Sequence, residues 1–166
     1  MKTVVIGLGN PILGDDGVGW RVAEAFEQLL LAHPFSHEVE VDCLSVGGLS
    51  LMERLIGADR AIIIDAVSLK GMLQGEVLVF ELEQLPDLAA GHITSAHDTS
   101  LPNAIQVGRS MGAHLPERVT VVGVQAHNLF EFSEELSPPV AEAVPRATQA
   151  VIQLLQADEE LKSSGV

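Results

Sequence analysis

Basic side chains and cysteine are both scarce in this chain, and each shortage closes off a class of function. Only 9 of the 166 residues are Lys or Arg, against 23 Asp or Glu, giving a formal net charge of −14. A surface of that sign repels phosphate backbones and anionic headgroups at long range, so neither nucleic acid nor a membrane is the expected partner. The one cysteine, Cys43, has no internal partner for a disulfide and reads as a small buried residue at a strand end. Familiar chemical signatures are missing too: there is no His-Glu-x-x-His helix, no Cys-x-x-Cys pair, no Gly-x-Ser-x-Gly elbow and no Walker loop. The opening apolar run is broken by Gly, Asn and Pro before it reaches the length of a signal peptide or a membrane span. A soluble, cytoplasmic protein is the expectation. No repeat, low-complexity tract or linker stands out.

What the chain does have is apolar content: 47% of its residues are hydrophobic and the mean hydropathy is +0.30, enough for one full core. The expected organisation is a single α/β domain over 1–157 with a frayed tail over 158–166. "KTVVIGL" reads as a strand, and the segment from Asp16 to Leu31 puts Val18, Val22, Phe26, Leu29 and Leu30 on one helical stripe. "HEVEVDCL" is a second strand, followed by Gly47-Gly48 and a helix burying Leu51, Met52, Leu55 and Ile56. "RAIIIDAV" has the continuous branched character of a central parallel strand, with Asp65 closing it. "GEVLVFEL" follows too closely for a helical crossover and is expected antiparallel. From Glu83 to His97 the chain reads as irregular, before a helix carrying Leu101, Ile105 and Met111. "RVTVVGVQ" is the last strand. A final helix from Ser137 turns Val140, Val144, Ala147, Val151, Leu154 and Leu155 inward, with Pro145 either kinking it or marking its beginning. The fold class is a three-layer α/β sandwich, a mostly parallel mixed sheet of about five strands with helices on both faces.

The glycine-rich stretch "GLGNPILGDDGVG" invites a dinucleotide reading, with Asp42 as the ribose acid. Ile12, however, stands where the third glycine belongs, and Asp15 and Asp16 would repel a pyrophosphate at the helix start. In parallel α/β folds ligands gather beyond the carboxyl ends of the strands. Asp15 and Asp16 after the first strand, Asp65 on the third and His97 before the third helix are the polar residues there. An acid at a helix start is favoured by capping and the macrodipole alone, by about 0.5–1 kcal/mol, and that reading takes Asp15. Neighbouring helical residues diverge by about 100°, which leaves Asp16 for the site. An Asp in an apolar strand is costly without a cation or several donors. Asp16, Asp65 and His97 together offer two oxygens and one nitrogen, a set suited to a divalent transition ion with positions left open. His97 alone also reads as an ordinary loop histidine beside Asp98, one of several in the chain with His92, His114 and His127. Ser95 and Ser100 nearby keep a serine hydrolase in view.

"VIGLGNPILGDDGVGWRVAEAF", "IIIDAV" and "SAHDTSL", in this order, resemble the NiFe-hydrogenase maturation endopeptidases over nearly the whole chain. The specific part is Gly-x-Gly-Asn-x-x-x-x-Asp-[Asp or Glu]-Gly-x-Gly joined to the strand Asp and the loop His. The resemblance implies that Asp16, Asp65 and His97 contact the metal. It also implies that the protein removes a C-terminal extension from the hydrogenase large-subunit precursor after nickel insertion. The nickel is then expected to belong to the substrate, with Zn or Cd as substitutes in vitro, and a monomer is the expected state. One departure is Ala126, where many relatives have Pro two residues after "GV". Two rival readings remain: a non-catalytic metal-binding assembly factor, and a peptidyl-tRNA hydrolase-like enzyme. The second shares the "GLGNP" opening but lacks that family's Arg-His-Asn segment, and the acidic charge argues against gripping tRNA.

Overall fold

The computed structural model describes residues 1–84, 100–127 and 129–165. Five strands make one sheet: β1 (Lys2–Leu8), β2 (Glu38–Leu44), β3 (Arg60–Val67), β4 (Val77–Glu81) and β5 (Arg118–Gln125), in the order β2-β1-β3-β5-β4. All neighbours pair parallel except β4, which runs antiparallel to β5 as its short connection requires. The mixed three-layer sandwich expected from the pattern is the one observed.

The layers follow from alternation along the strands. Val4, Ile6 and Leu8 of β1 and Ala61 and Ile63 of β3 face α2 (Gly48–Leu55) and α3 (Leu101–Ser110), closing a core with Leu51, Leu55, Leu101 and Ala104. Val5, Ile62, Ile64, Val122 and Val124 face the other way, against α1 (Val18–Ala32) and α4 (Pro138–Ser163). The α1 stripe of Val18, Val22 and Phe26 is fully covered there, each such side chain contributing about 1.5–3 kcal/mol. Every residue of β3 is buried, as a strand with helices on both faces must be.

Several local expectations change. Ile56 and Met111 are 50% and 82% exposed because they lie just past the ends of α2 and α3, and Leu29, within α1, is 44% exposed. Asp65 does not end its strand; Ala66 and Val67 continue the pairing with Val124 and Gln125. Asp16 is not in α1 but in a 3-10 turn, Gly14–Gly17, that precedes it. Pro145 lies inside α4, which begins well upstream at Pro138. The tail expected to fray from 158 is helical through Ser163, since Asp158 is buried against Arg60 (3.0 Å) and also meets Arg118 (3.4 Å).

That pairing belongs to a polar cluster at the amino ends of β3 and β5. Arg60, 3% exposed, donates to Asp158, to the Ala61 carbonyl and to the Thr120 hydroxyl, while Arg118 and Thr120 both hold Glu81. It lies at the end of the sheet opposite the candidate site and anchors α4 and β4 to the central strands.

Candidate functional site

The loop after β1 is shaped by close approach. Gly9 has φ +141°, and a Cβ built there would lie 1.9 Å from the Asp16 carbonyl oxygen, so the 3-10 turn packs directly on the strand end. A Cβ at Gly19 would lie 2.2 Å from the Leu8 carbonyl oxygen and 2.5 Å from that of Ile64. The start of α1 therefore rests on the carboxyl ends of β1 and β3 at once. These glycines serve backbone packing, which explains their spacing without any phosphate.

The two adjacent acids are sorted by this geometry. Asp15, 3% exposed, accepts the Ser137 amide (2.7 Å) and hydroxyl (2.7 Å) and the Gln74 side-chain amide (2.9 Å). It thus ties the 3-10 turn to the start of α4 rather than capping its own helix. The Ser137 hydroxyl is spent on Asp15 and Gln74 and makes no cap bond to α4. Asp16, 6% exposed, accepts the Asn10 amide at 2.8 Å, and the Asn10 side chain in turn accepts the Ile12 amide.

Asp65 is fully buried in β3, paired with Gly123 of β5, and by alternation shares the face of Ile63, toward α2 and α3. Gly7 of β1 pairs with Ile64, one residue before it. With the Asp16 backbone seated on Gly9, the 3-10 turn that carries Asp16 follows the carboxyl end of β1, and Asp65 lies near the carboxyl end of β3, the neighbouring strand. His97, like His92, Ser95 and Asp98, lies outside the described residues, and among the described residues no group of three His, Cys, Asp or Glu side chains is spaced to hold an ion. Asp16 and Asp65, both with low exposure, carry carboxylate oxygens, a donor type that divalent transition ions accept.

The other candidates resolve as structural. Asp42 binds Arg54 (2.7 Å) and the Cys43 amide, which removes it as a ribose acid. Burial pushes the Cys43 thiol up to about 11, keeping it protonated and unreactive at neutral pH. His114 meets Asp59 at 3.0 Å, on the surface. The Ala126 amide donates to the Val67 carbonyl (2.9 Å), a bond that proline at this position would forfeit. The supporting residues Gln74 and Ser137 carry no sequence signal of their contact with Asp15, since they reach it only through the tertiary fold. Among the described residues no helix is long and apolar enough to cross a membrane.

Comparison with known proteins agrees with this layout. A model of the hydrogenase maturation protease family (HycI) matches residues 21–154, a span that contains Asp65 and begins after Asp16. The chain is 30% identical over 156 residues to the hydrogenase 2 maturation protease of Escherichia coli, covering 94% of this chain and 92% of that one. It is also 30% identical over 155 residues to the hydrogenase expression/formation protein HupD of Rhizobium leguminosarum, covering 93% and 74%. In structure it is similar to the hydrogenase maturating endopeptidase HybD from E. coli, with a TM-score of 0.75, 26% identity and coverage of 95% and 94%. With this sheet order, this acid-bearing rim and these relatives, the chain belongs to the hydrogenase maturation protease family.

Proposed function

We propose that this protein is the endopeptidase that removes the C-terminal extension of a NiFe-hydrogenase large-subunit precursor once nickel has been inserted. On this reading Asp16, Asp65 and His97 contact the nickel carried by the precursor and hold the scissile segment at the carboxyl-end rim. The observation that supports it is the sorting of the acids: Asp15 is committed to Ser137 and Gln74, while Asp16 stands with Asp65 at that rim.

A carboxylate with low exposure holds a cation more strongly than one in bulk water, because its own hydration has already been given up. The two aspartates supply negative charge and oxygen donors, and the imidazole a nitrogen that suits Ni²⁺, Zn²⁺ or Cd²⁺ alike. The Asn10 amide fixes one Asp16 oxygen and so fixes the direction of the other. A metal-free precursor gives these groups nothing to grip, and this makes cleavage conditional on nickel insertion. The protein acts as a cytoplasmic monomer on a protein substrate, with neither nucleic acid nor a membrane involved, in keeping with its charge of −14.

The test is incubation of the purified chain with nickel-loaded and nickel-free precursor. Cleavage of the loaded form alone is expected; cleavage of neither overturns the peptidase reading, and equal cleavage of both overturns the role of nickel.

A further inference from the structure

We propose that Phe130 and Phe132, with Ile12 beside them, are the docking surface for the large-subunit precursor, at a site on it that presents an apolar pocket with a basic rim. This rests on the proposed function above and adds how the substrate is engaged outside the metal rim.

Phe130 and Phe132 are 87% and 85% exposed, the two most exposed large hydrophobic side chains among the described residues, and Ile12 is 48% exposed. Exposed apolar patches mark interaction sites, and aromatic anchors carry much of the energy of protein interfaces. The segment that bears them is held in place. Leu13 and Ser133 form an isolated β-bridge, with the Gly14 amide donating to the Ser133 carbonyl (2.7 Å) and the Ser133 amide to that of Ile12 (3.0 Å). Arg21 donates to the Glu134 carbonyl at 3.0 Å, and the Ser133 hydroxyl accepts the Glu135 amide at 3.0 Å. The backbone that follows Phe132 is thus anchored, which lowers the entropic cost of ordering the segment on binding.

The bridge also fixes where the patch lies. Its partner strand is the loop that runs from Ile12 into Asp15 and Asp16, so the phenylalanines are continuous with the loop that carries the candidate site. Charge then selects the occupant. Glu131, Glu134 and Glu135 neighbour the phenylalanines in the chain and are exposed, while the cation Arg21 is engaged with the Glu134 carbonyl and with Glu24. A second copy of this chain would set those glutamates against one another in a two-fold contact, on top of a net charge of −14 per molecule. An apolar surface ringed by Lys and Arg is complementary in both respects.

The experiment compares the native chain with Phe130→Ala/Phe132→Ala and with Glu131→Lys/Glu134→Lys/Glu135→Lys on the nickel-loaded precursor. Circular dichroism melting checks that each variant folds, and sedimentation gives the oligomeric state. The phenylalanine variant is expected to raise KM about tenfold with kcat held, as loss of aromatic anchors does. The charge variant is expected to raise KM and to lose the salt dependence of the native reaction. If the native chain processes the precursor and both folded variants keep its KM and kcat, the docking surface is wrong and the proposed function stands. If native chain and variants alike neither bind nor cleave the precursor, the proposed function fails and this inference with it. A native dimer that the phenylalanine variant turns into monomer assigns the patch to a second copy and overturns the proposal.

Discussion

Asp15→Ala separates the two adjacent acids by magnitude. A carboxylate that merely capped its own helix would be worth about 0.5–1 kcal/mol. Asp15 instead receives three hydrogen bonds at 2.7, 2.7 and 2.9 Å while 3% exposed. Bonds to an ionised acceptor contribute roughly 1.5–3 kcal/mol each, and they overlap when they share one acceptor. Ser137 and Gln74 are half-buried and regain water when the carboxylate is removed, which returns part of the loss. The net cost is therefore about 3 kcal/mol. With a urea m-value of about 2 kcal/mol/M, that moves the unfolding midpoint down by about 1.5 M at unchanged m. Processing by the variant continues at temperatures where it remains folded. A midpoint shift under about 0.5 M would refute the tether between the turn and α4, and loss of processing in a folded Asp15→Ala protein would refute its exclusion from the site.

Further predictions concern the site, the loop and the acid limb. Asp16→Ala, Asp65→Ala and His97→Ala should each abolish processing of nickel-loaded precursor while circular dichroism shows a native fold; full activity in any one removes that residue from the proposal. Gly19→Ala forces a methyl against two strand carbonyls at 2.2 and 2.5 Å and should cost at least about 3 kcal/mol, read as loss of soluble protein or a steep fall in Tm. The Glu81 carboxyl lies below its ordinary value of 4.5: burial raises it, but hydrogen bonds from Arg118 and Thr120 and the charges of Arg118 and Arg60 outweigh that. A lowered folded value means its contribution is complete above about pH 4.5 and is lost as pH falls through the folded pKa. Glu81→Gln should therefore destabilise the protein at pH 7 and flatten the acid limb of stability against pH, measured by urea midpoints from pH 3 to 7.

The sheet was legible because its strands are short and rich in branched residues: "RAIIIDAV" has the length and branched content of a strand covered on both faces, and "GEVLVFEL" sits too near its predecessor for a crossover. Helix ends were less so, since Ile56 and Met111 continue the apolar count after the backbone has already turned away. The α4 tail was misread because Asp158 and Arg60 meet only across the folded chain, and neither "QADEEL" nor "DRAIII" carries a sign of the other. At the site, separation of Asp15 from Asp16 by helical angle set Asp15 apart as structural, for an incomplete reason. Asp15 is structural, yet through Ser137 and Gln74 rather than through its own helix, and that link depends on how α4 returns to the first loop.

The most direct test of the account is anomalous diffraction from crystals of this chain soaked with Ni²⁺ or Cd²⁺. A peak within coordinating distance of both Asp16 and Asp65, with His97 as a further ligand, is the predicted result. A peak held elsewhere, with the two aspartates untouched, would contradict the assignment of this rim as the place where the nickel of the precursor is met.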